Sequence, residues 1–240
     1  MTRRVVQIIN QSLLGVKYRY NSIKMPRLPI SCRLLVISDI IVPFIYSPHL
    51  RERFPNIGLL IGCGDLPYYY LEHIVSMMDV PLFFVRGNHD KLVEYGGAQN
   101  RNAPGGGSDL HRKVVNSGGI LLAGVEGSLR YSNSTYQYSQ FEMWEHVFRL
   151  VPGLLANRMR HGRFLDIFVT HAPPNGVHDK EDLPHRGIRA FRWLIQTFKP
   201  GYHFHGHIHN YRPEDAIETK LGPTRVINAY GYREMLIQIG

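Results

Sequence analysis

VPLFFVRGNHD, residues 80–90, is the stretch whose reading decides the fold. Leu82, Phe83, Phe84 and Val85 make an apolar run long enough for a buried strand and too short for a stable isolated helix. Arg86 and Gly87 end it. Glycine turns the backbone without a Cβ clash, so the side chains that follow are thrown sideways at the strand's end. Asn88, His89 and Asp90 then offer an amide oxygen, an imidazole and a carboxylate. On these four residues alone, a polar loop after a core strand, with His89 capping a turn, stays open, because short motifs match by chance.

On either side, further stretches read as strands and end the same way. Residues 33–37 lead to Ser38-Asp39 and residues 57–61 to Gly62-Cys63-Gly64-Asp65; residues 164–169 lead to Thr170-His171 and residues 202–205 to Gly206-His207-Ile208-His209. Five strand ends therefore place Asp39, Asp65, Asn88-His89, His171 and His207/His209 on one rim. Residues 69–78 read as a helix between two of these strands, a rhythm that makes the strands parallel neighbours. Residues 96–107 form a Gly-rich segment without the Gly-Lys-Ser/Thr ending of a phosphate-binding loop, and read as a mobile flap. A strand is expected over 120–125 and a loop over 127–138. Ser139 and Glu142 match a capping box, opening a helical region that Pro152 divides in two. A helix over 188–198 and β segments over 225–227 and 234–239 complete the pattern.

The 240 residues fit a single domain over 31–240 preceded by a basic extension over 1–30. In that extension Val5, Ile8, Ile9, Leu13 and Val16 recur at near-helical spacing, which suits a helix packed on its own domain better than one on a membrane surface. Hydrophobic content of 44% and charged content of 20% place the chain among soluble globular proteins. No run approaches the ~20 apolar residues of a membrane span, and no signal-peptide pattern occurs, so a cytoplasmic protein is expected. Only Cys32 and Cys63 are present, which excludes a disulfide framework and suits a reducing compartment. The net charge of +9 is scattered rather than clustered, and reads as a surface that attracts anionic substrates; a nucleic-acid partner is not favoured.

Carboxylate, amide oxygen and neutral imidazole are ligands suited to Mn, Fe and Zn, and a carboxylate can bridge two ions. Two ions ~3.5–4 Å apart lower the pKa of a shared water and clamp both oxygens of a displacement at phosphorus. His207 and His209, two residues apart, share a face of an extended segment. A structural role is an equal reading for any one of these histidines. Five polar strand ends together are harder to explain that way.

In this order, Asp39, Gly64-Asp65, Gly87-Asn88-His89-Asp90, Thr170-His171 and Gly206-His207-Ile208-His209 resemble the calcineurin-like metallophosphoesterases over about residues 33–210. The resemblance implies an α/β fold of four α/β/β/α layers, with two mixed sheets face to face, helices outside and a two-metal centre at the strand ends. Asp65 would bridge the ions, Asn88, His171 and His207 would complete one site, and Asp39 and His209 would belong to the other. His89 would stabilise the transferring phosphoryl group or protonate the leaving oxygen, with Asp90 orienting its ring. The implied activity is hydrolysis of a phosphate mono- or diester by attack of a metal-bound hydroxide. Two divalent or mixed-valence ions (Mn, Fe or Zn) and a phosphorylated small-molecule or nucleotide substrate go with it. A non-catalytic scaffold with a degenerate metal site and a nucleic-acid-processing phosphodiesterase are the alternatives.

One position departs from the pattern. The family usually shows Asp-x-His at its first motif, and here the residues are Asp39-Ile40-Ile41. Isoleucine cannot ligate, so that site is weakened or another group replaces the imidazole. His49 has no specific support. Tyr68 is the better substitute, because Gly64-Asp65-Leu66-Pro67-Tyr68 is similar to the GDxxY of purple acid phosphatases, where a tyrosinate binds ferric iron. The alternative is that Tyr68, Tyr69 and Tyr70 open a helix and pack on the core. Among the softer candidates Arg86, Arg130, Tyr131, His178, Asp179, His185 and Arg186, His178 is singled out as a substrate contact.

Overall fold

A computed structural model describes residues 30–95, 100–209 and 217–239. The basic extension expected over 1–30 lies outside them except for Ile30. The elements run β1 (Ile30–Ser38), α1 (Leu50–Arg53), β2 (Leu59–Gly62), α2 (Tyr68–Met78), β3 (Leu82–Phe84) and β4 (Gly107–Asp109). They continue as β5 (Lys113–Ser117), β6 (Ile120–Val125), β7 (Ser128–Leu129), β8 (Gln137–Tyr138), α3 (Gln140–His161), β9 (Ile167–Thr170) and α4 (Arg189–Phe198). β10 (Tyr202–His205), β11 (Glu218–Leu221), β12 (Thr224–Asn228) and β13 (Gly231–Ile239) follow.

The strand period of two sorts the side chains into layers. Leu34 and Val36 of β1 join Leu59, Ile61, Val85, Leu122, Val169 and Phe204 in a core between two sheets. Leu35 and Ile37, on the other face of β1, pack with Leu50 of α1 and Tyr70 and Ile74 of α2. In the second sheet Ala123, Val125 and Phe168 face Leu150 of α3 and Phe191 and Leu194 of α4. Both faces of each sheet are covered, which is why the central strands read as continuous apolar runs. The result is the expected four-layer fold.

The first sheet has the order β13-β1-β2-β3-β4 and the second β11-β12-β10-β9-β6-β5, with β7 and β8 as a small separate pair. β1, β2, β3 and β4 are parallel, and so are β6, β9, β10 and β12; β13, β5 and β11 run antiparallel to their neighbours. The carboxyl ends of the central strands consequently share one edge, as right-handed strand–helix–strand crossovers require.

Three expectations change. Pro152 does not divide the helical region: α3 runs unbroken through it for 22 residues. Pro152 lies on the exposed side, where a missing hydrogen bond costs least, while Val147, Leu150 and Leu154 pack on either side of it. The capping box is present, with Glu142 N donating to Ser139 Oγ at 3.2 Å and Ser139 N to Glu142 Oε2 at 2.7 Å. β4, β5 and β11 were not foreseen. Finally, residues 96–99 of the Gly-rich segment lie outside the described residues, but its remainder is tied down. Glu94 and Arg101 exchange backbone hydrogen bonds, Arg86 binds the Asn102 carbonyl at 2.8 Å, and Gly105 N donates to Glu72 at 2.9 Å. Among the described residues no helix is long and apolar enough to cross a membrane.

Candidate metal centre

The strand ends are lashed together by their backbones. Asp39 N donates to the Gly64 carbonyl at 3.1 Å, Gly206 N to the His171 carbonyl at 2.9 Å, and His207 N to both carboxylate oxygens of Asp39 at 2.9 and 3.1 Å. Asp39, Asp65 and His207 all adopt left-handed backbone, with φ of 68°, 57° and 65°. Each such residue costs on the order of 1 kcal/mol or more and persists only where its surroundings hold it. A Cβ on Gly206 would collide with Ser38 Oγ and lie 2.5 Å from Asp39 Oδ2, so the two sheets meet here with no room for a side chain.

His171 is fully buried and forms the centre of the group. Its Nδ1 donates to the Cys63 carbonyl at 2.7 Å. Its Nε2 faces Asn88 Oδ1 at 2.9 Å, His207 Nδ1 at 3.2 Å and Asp65 Oδ2 at 3.3 Å. The other end of each partner is fixed. His207 Nε2 donates to the Pro184 carbonyl at 2.8 Å, which leaves Nδ1 with a bare lone pair. Asn88 Nδ2 donates to the Tyr131 hydroxyl at 2.9 Å, which turns Oδ1 inward. Asp39, Asp65 and His171 bring ligand atoms within 4.8 Å of one another, and His209 Nε2 stands 3.8 Å from Asp39 Oδ1.

The electrostatics fit a cation. Burial opposes charge on His171, but Asp65 and then Asp39 overcome it and raise its pKa to about 9. Burial likewise opposes charge on Asp65, and His171 with the His89 N–H at 2.8 Å brings it down to about 2. His207 is driven to about 3 by burial and by the charge of His171, so it stays neutral, as a ligand must. A proton on His171 Nε2 satisfies one of several converging acceptors. An ion ligated by these oxygens and nitrogens would satisfy them together, and the donor set suits Mn, Fe or Zn.

Of the nominated residues, the structure gathers Asp39, Asp65, Asn88, His171 and His207, with His209 beside them. His89 is exposed and lines a cleft of about 530 Å³ with Asp65, Tyr69, Lys91, Tyr95 and Arg101. Three residues take other roles. Asp90 does not bond the ring of His89: its Oδ2 accepts from Gly87 N at 2.8 Å and Asp65 N at 3.0 Å, so it clamps the backbone of two motifs. Tyr68, offered as the substitute ligand, is engaged by other groups. Its hydroxyl donates towards the carbonyls of Asn102 at 3.1 Å and Lys91 at 3.4 Å and accepts from Arg86 Nε at 3.4 Å, while burial pushes the phenol above its ordinary pKa.

His178, singled out as a substrate contact, has both ring nitrogens hydrogen-bonded. His205 Nδ1 donates to the Gly206 carbonyl at 2.9 Å, so its Nε2 accepts from His178 Nδ1 at 2.8 Å; His178 Nε2 then accepts from the Thr219 hydroxyl at 2.9 Å. His49 pairs with Glu52 on the surface. Tyr131 and His185, only softer candidates from the sequence, lie closer to the centre, the latter with its ring centroid 5.4 Å from that of His207.

Comparison with known proteins agrees with this architecture. The sequence model for calcineurin-like phosphoesterase matches residues 32–211. A crystal structure of TT1561 from Thermus thermophilus superposes with a TM-score of 0.56 at 15% identity, covering 87% of this chain and 98% of that one. A second crystal structure gives a TM-score of 0.59 at 15% identity over 88% of this chain and all of its own. GAP50, the anchor in the inner membrane complex of Plasmodium, gives 0.48 at 12% identity over 83% and 71%. No curated protein matches significantly. At 15% identity the likeness to the first two structures speaks for the fold alone.

Proposed function

The chain belongs to the calcineurin-like phosphoesterase family, and from that premise we propose that it is a metal-dependent hydrolase of phosphate mono- or diesters acting at the rim around His171. The observation that carries this reading is the convergence of Asn88 Oδ1, His207 Nδ1 and Asp65 Oδ2 on His171 Nε2, each with its far side fixed by another hydrogen bond. Asp65 would bridge two ions, Asn88, His171 and His207 would hold one, and Asp39 and His209 the other. When bound, such ions lower the pKa of water and neutralise charge at phosphorus.

The chain's own residues supply the rest. His89, exposed in the cleft beside Asp65, would give a proton to the departing oxygen or face the transferring group. Lys91 on the same cleft would attract an anionic, phosphorylated small molecule or nucleotide, while Arg101 there is already paired with Glu72. Tyr131 keeps the Asn88 amide turned inward. We take the working compartment to be the cytoplasm, from the composition.

A second reading is a scaffold with a degenerate site, and Ile41 is what favours it: it stands where the family has a histidine and is 38% exposed. Metal content and a metal-by-substrate matrix on wild type and Asn88→Ala separate the two. Bound Mn, Fe or Zn and turnover of aryl or bis-aryl phosphate, both lost in the variant, are expected for the enzyme. Absence of metal and of any difference in activity would leave the scaffold.

A further inference from the structure

The cleft of about 530 Å³ beside Asp65 and His89 has the size of a small-molecule site, ~300–1,000 Å³, and more room than a phosphoryl group fills. Its further walls come from the start of α2 and from the chain that follows the strand end of β3. In α2 the helical period divides three consecutive tyrosines between core and solvent. Tyr68 and Tyr70 are buried, and Tyr69 between them is turned out into the cleft, 44% exposed. Tyr95 lines the same cleft and is 80% exposed. The ring of Tyr69 is braced from outside: Tyr46 meets it edge-on with centroids 5.8 Å apart, and Tyr46 in turn packs on His73 at 4.6 Å.

Most of the cleft's charged groups are already spent inside the protein. Arg101 pairs with Glu72 and stands 4.0 Å from Glu94 Oε2, while Glu94 Oε1 accepts from Tyr68 N at 2.8 Å. Asp90 clamps the backbone of Gly87 and Asp65. Beyond the metal rim and His89, the groups left for a ligand are Lys91 and the two tyrosine rings. A tyrosine ring is a large, stiff, flat surface, and rings presented in a cleft take up flat aromatic ligands by stacking.

His89 decides which part of a substrate lies here. If it serves the departing oxygen, the group that leaves with that oxygen occupies the cleft His89 lines. On the phosphoesterase reading, on which this rests, we propose that the cleft is a leaving-group subsite for a nucleoside. Tyr69 and Tyr95 receive the heterocyclic base by stacking, and Lys91 meets the negative charge of the ester. The site then selects phosphate esters of nucleosides over those of plain sugars, because a sugar has no flat face to set against the two rings.

Adenosine monophosphate and ribose phosphate, each esterified at the same primary hydroxyl, share their leaving oxygen and differ in the base. The metal-loaded full chain is expected to favour the nucleotide in kcat/KM by at least about tenfold. Tyr69→Ala and Tyr95→Ala should each cut that ratio at least about fivefold, whereas Tyr69→Phe and Tyr95→Phe, which keep the ring, should hold it within about twofold. Quenching of etheno-adenosine monophosphate fluorescence on binding reads the same stacking without turnover. Hydrolysis of both esters with no preference for the base overturns the subsite and leaves the phosphoesterase reading standing. Neither ester hydrolysed, with the fluorescent nucleotide bound through the two rings, overturns the phosphoesterase reading and keeps the stacking site. A preference that survives both alanine variants overturns the assignment to Tyr69 and Tyr95, and one lost equally in the phenylalanine variants overturns stacking in favour of a hydroxyl contact. Absence of both binding and turnover overturns the two readings together.

Discussion

Asp90 is the residue for which sequence and structure assign different work, and the difference can be measured. Its buried Oδ2 accepts from the N–H groups of Gly87 and Asp65. Asp90→Ala strands both donors, at ~1–3 kcal/mol each, so a loss of about 4 kcal/mol is expected. For a chain of this length that is a fall in melting temperature of about 8–16 °C. Asp90→Asn keeps an acceptor oxygen in place. Burial and then the Asp65 carboxylate already raise the Asp90 carboxyl to about 7, so its charge is poorly tolerated and a neutral amide relieves that repulsion. The amide variant should therefore lose at most about 1–2 kcal/mol of charge-assisted hydrogen bonding, and keep metal affinity and turnover within about threefold. Thermal unfolding, metal titration and phosphoesterase kinetics on the two variants form the assay. An Asp90→Asn chain that is stable and metal-loaded but slower by more than about 100-fold would refute the backbone-clamp account and return Asp90 to the His89 ring.

Other perturbations have equally definite expectations. Gly206→Ala drives a methyl into Ser38 and Asp39; metal affinity should fall at least about tenfold, with ~1–3 kcal/mol of stability, and unaltered binding would show that Asp39 is not held in this position. Tyr68→Phe should cost only ~1 kcal/mol, from the lost Asn102 and Arg86 contacts, and leave the metal content and visible spectrum of iron-loaded protein unchanged; loss of a coloured band would restore the tyrosinate. His146 is buried with neither ring nitrogen partnered, and burial, then the charge of Arg112, lowers its pKa to about 4 from an unfolded value of ~6.5. Between those values the unfolded chain binds the proton and the folded chain does not, so stability falls as pH drops through that window. His146→Phe should remove that part of the slope, and denaturation midpoints at pH 7.5 and 5 that change equally in both proteins would contradict it.

What the sequence made legible follows from where information is local. Strands buried on both faces need unbroken apolar runs, so β2, β3 and β6 declared themselves, and the polar ends of β2 and β3 named Asp65 and Asn88 of the centre. β4, with Gly107, Ser108 and Asp109, and β11, with alternating exposure over Glu-Thr-Lys-Leu, have no such run; each exists because a neighbouring strand offers a ladder. β5 has a local signal in the Gly118-Gly119 pair, whose φ angles are both positive and which closes a two-residue hairpin with β6. The hydrogen-bond partner of His178 could not be read locally because Thr219 comes from a strand 41 residues away. Nor could that of the Tyr68 hydroxyl, which is claimed by a loop 34 residues on.

The centre itself is an interface between the two sheets. Asp39, Asp65 and Asn88 end strands of the first sheet, and His171, His207 and His209 those of the second. Candidate oxygen ligands therefore come from one side and candidate nitrogen ligands from the other. The bridging contacts, Asn88 and Asp65 to His171 and Asp39 to the His207 N–H, all cross the plane where the sheets meet. The order of the motifs along the chain is then a consequence of topology: three parallel strand ends from one sheet must precede those of the next. So is the strain. A residue that continued its strand would point into the inter-sheet core or the helix layer. Only the left-handed turns at Asp39, Asp65 and His207 bring their side chains to the shared edge, and the backbone bonds that tie one sheet's ends to the other's hold them there.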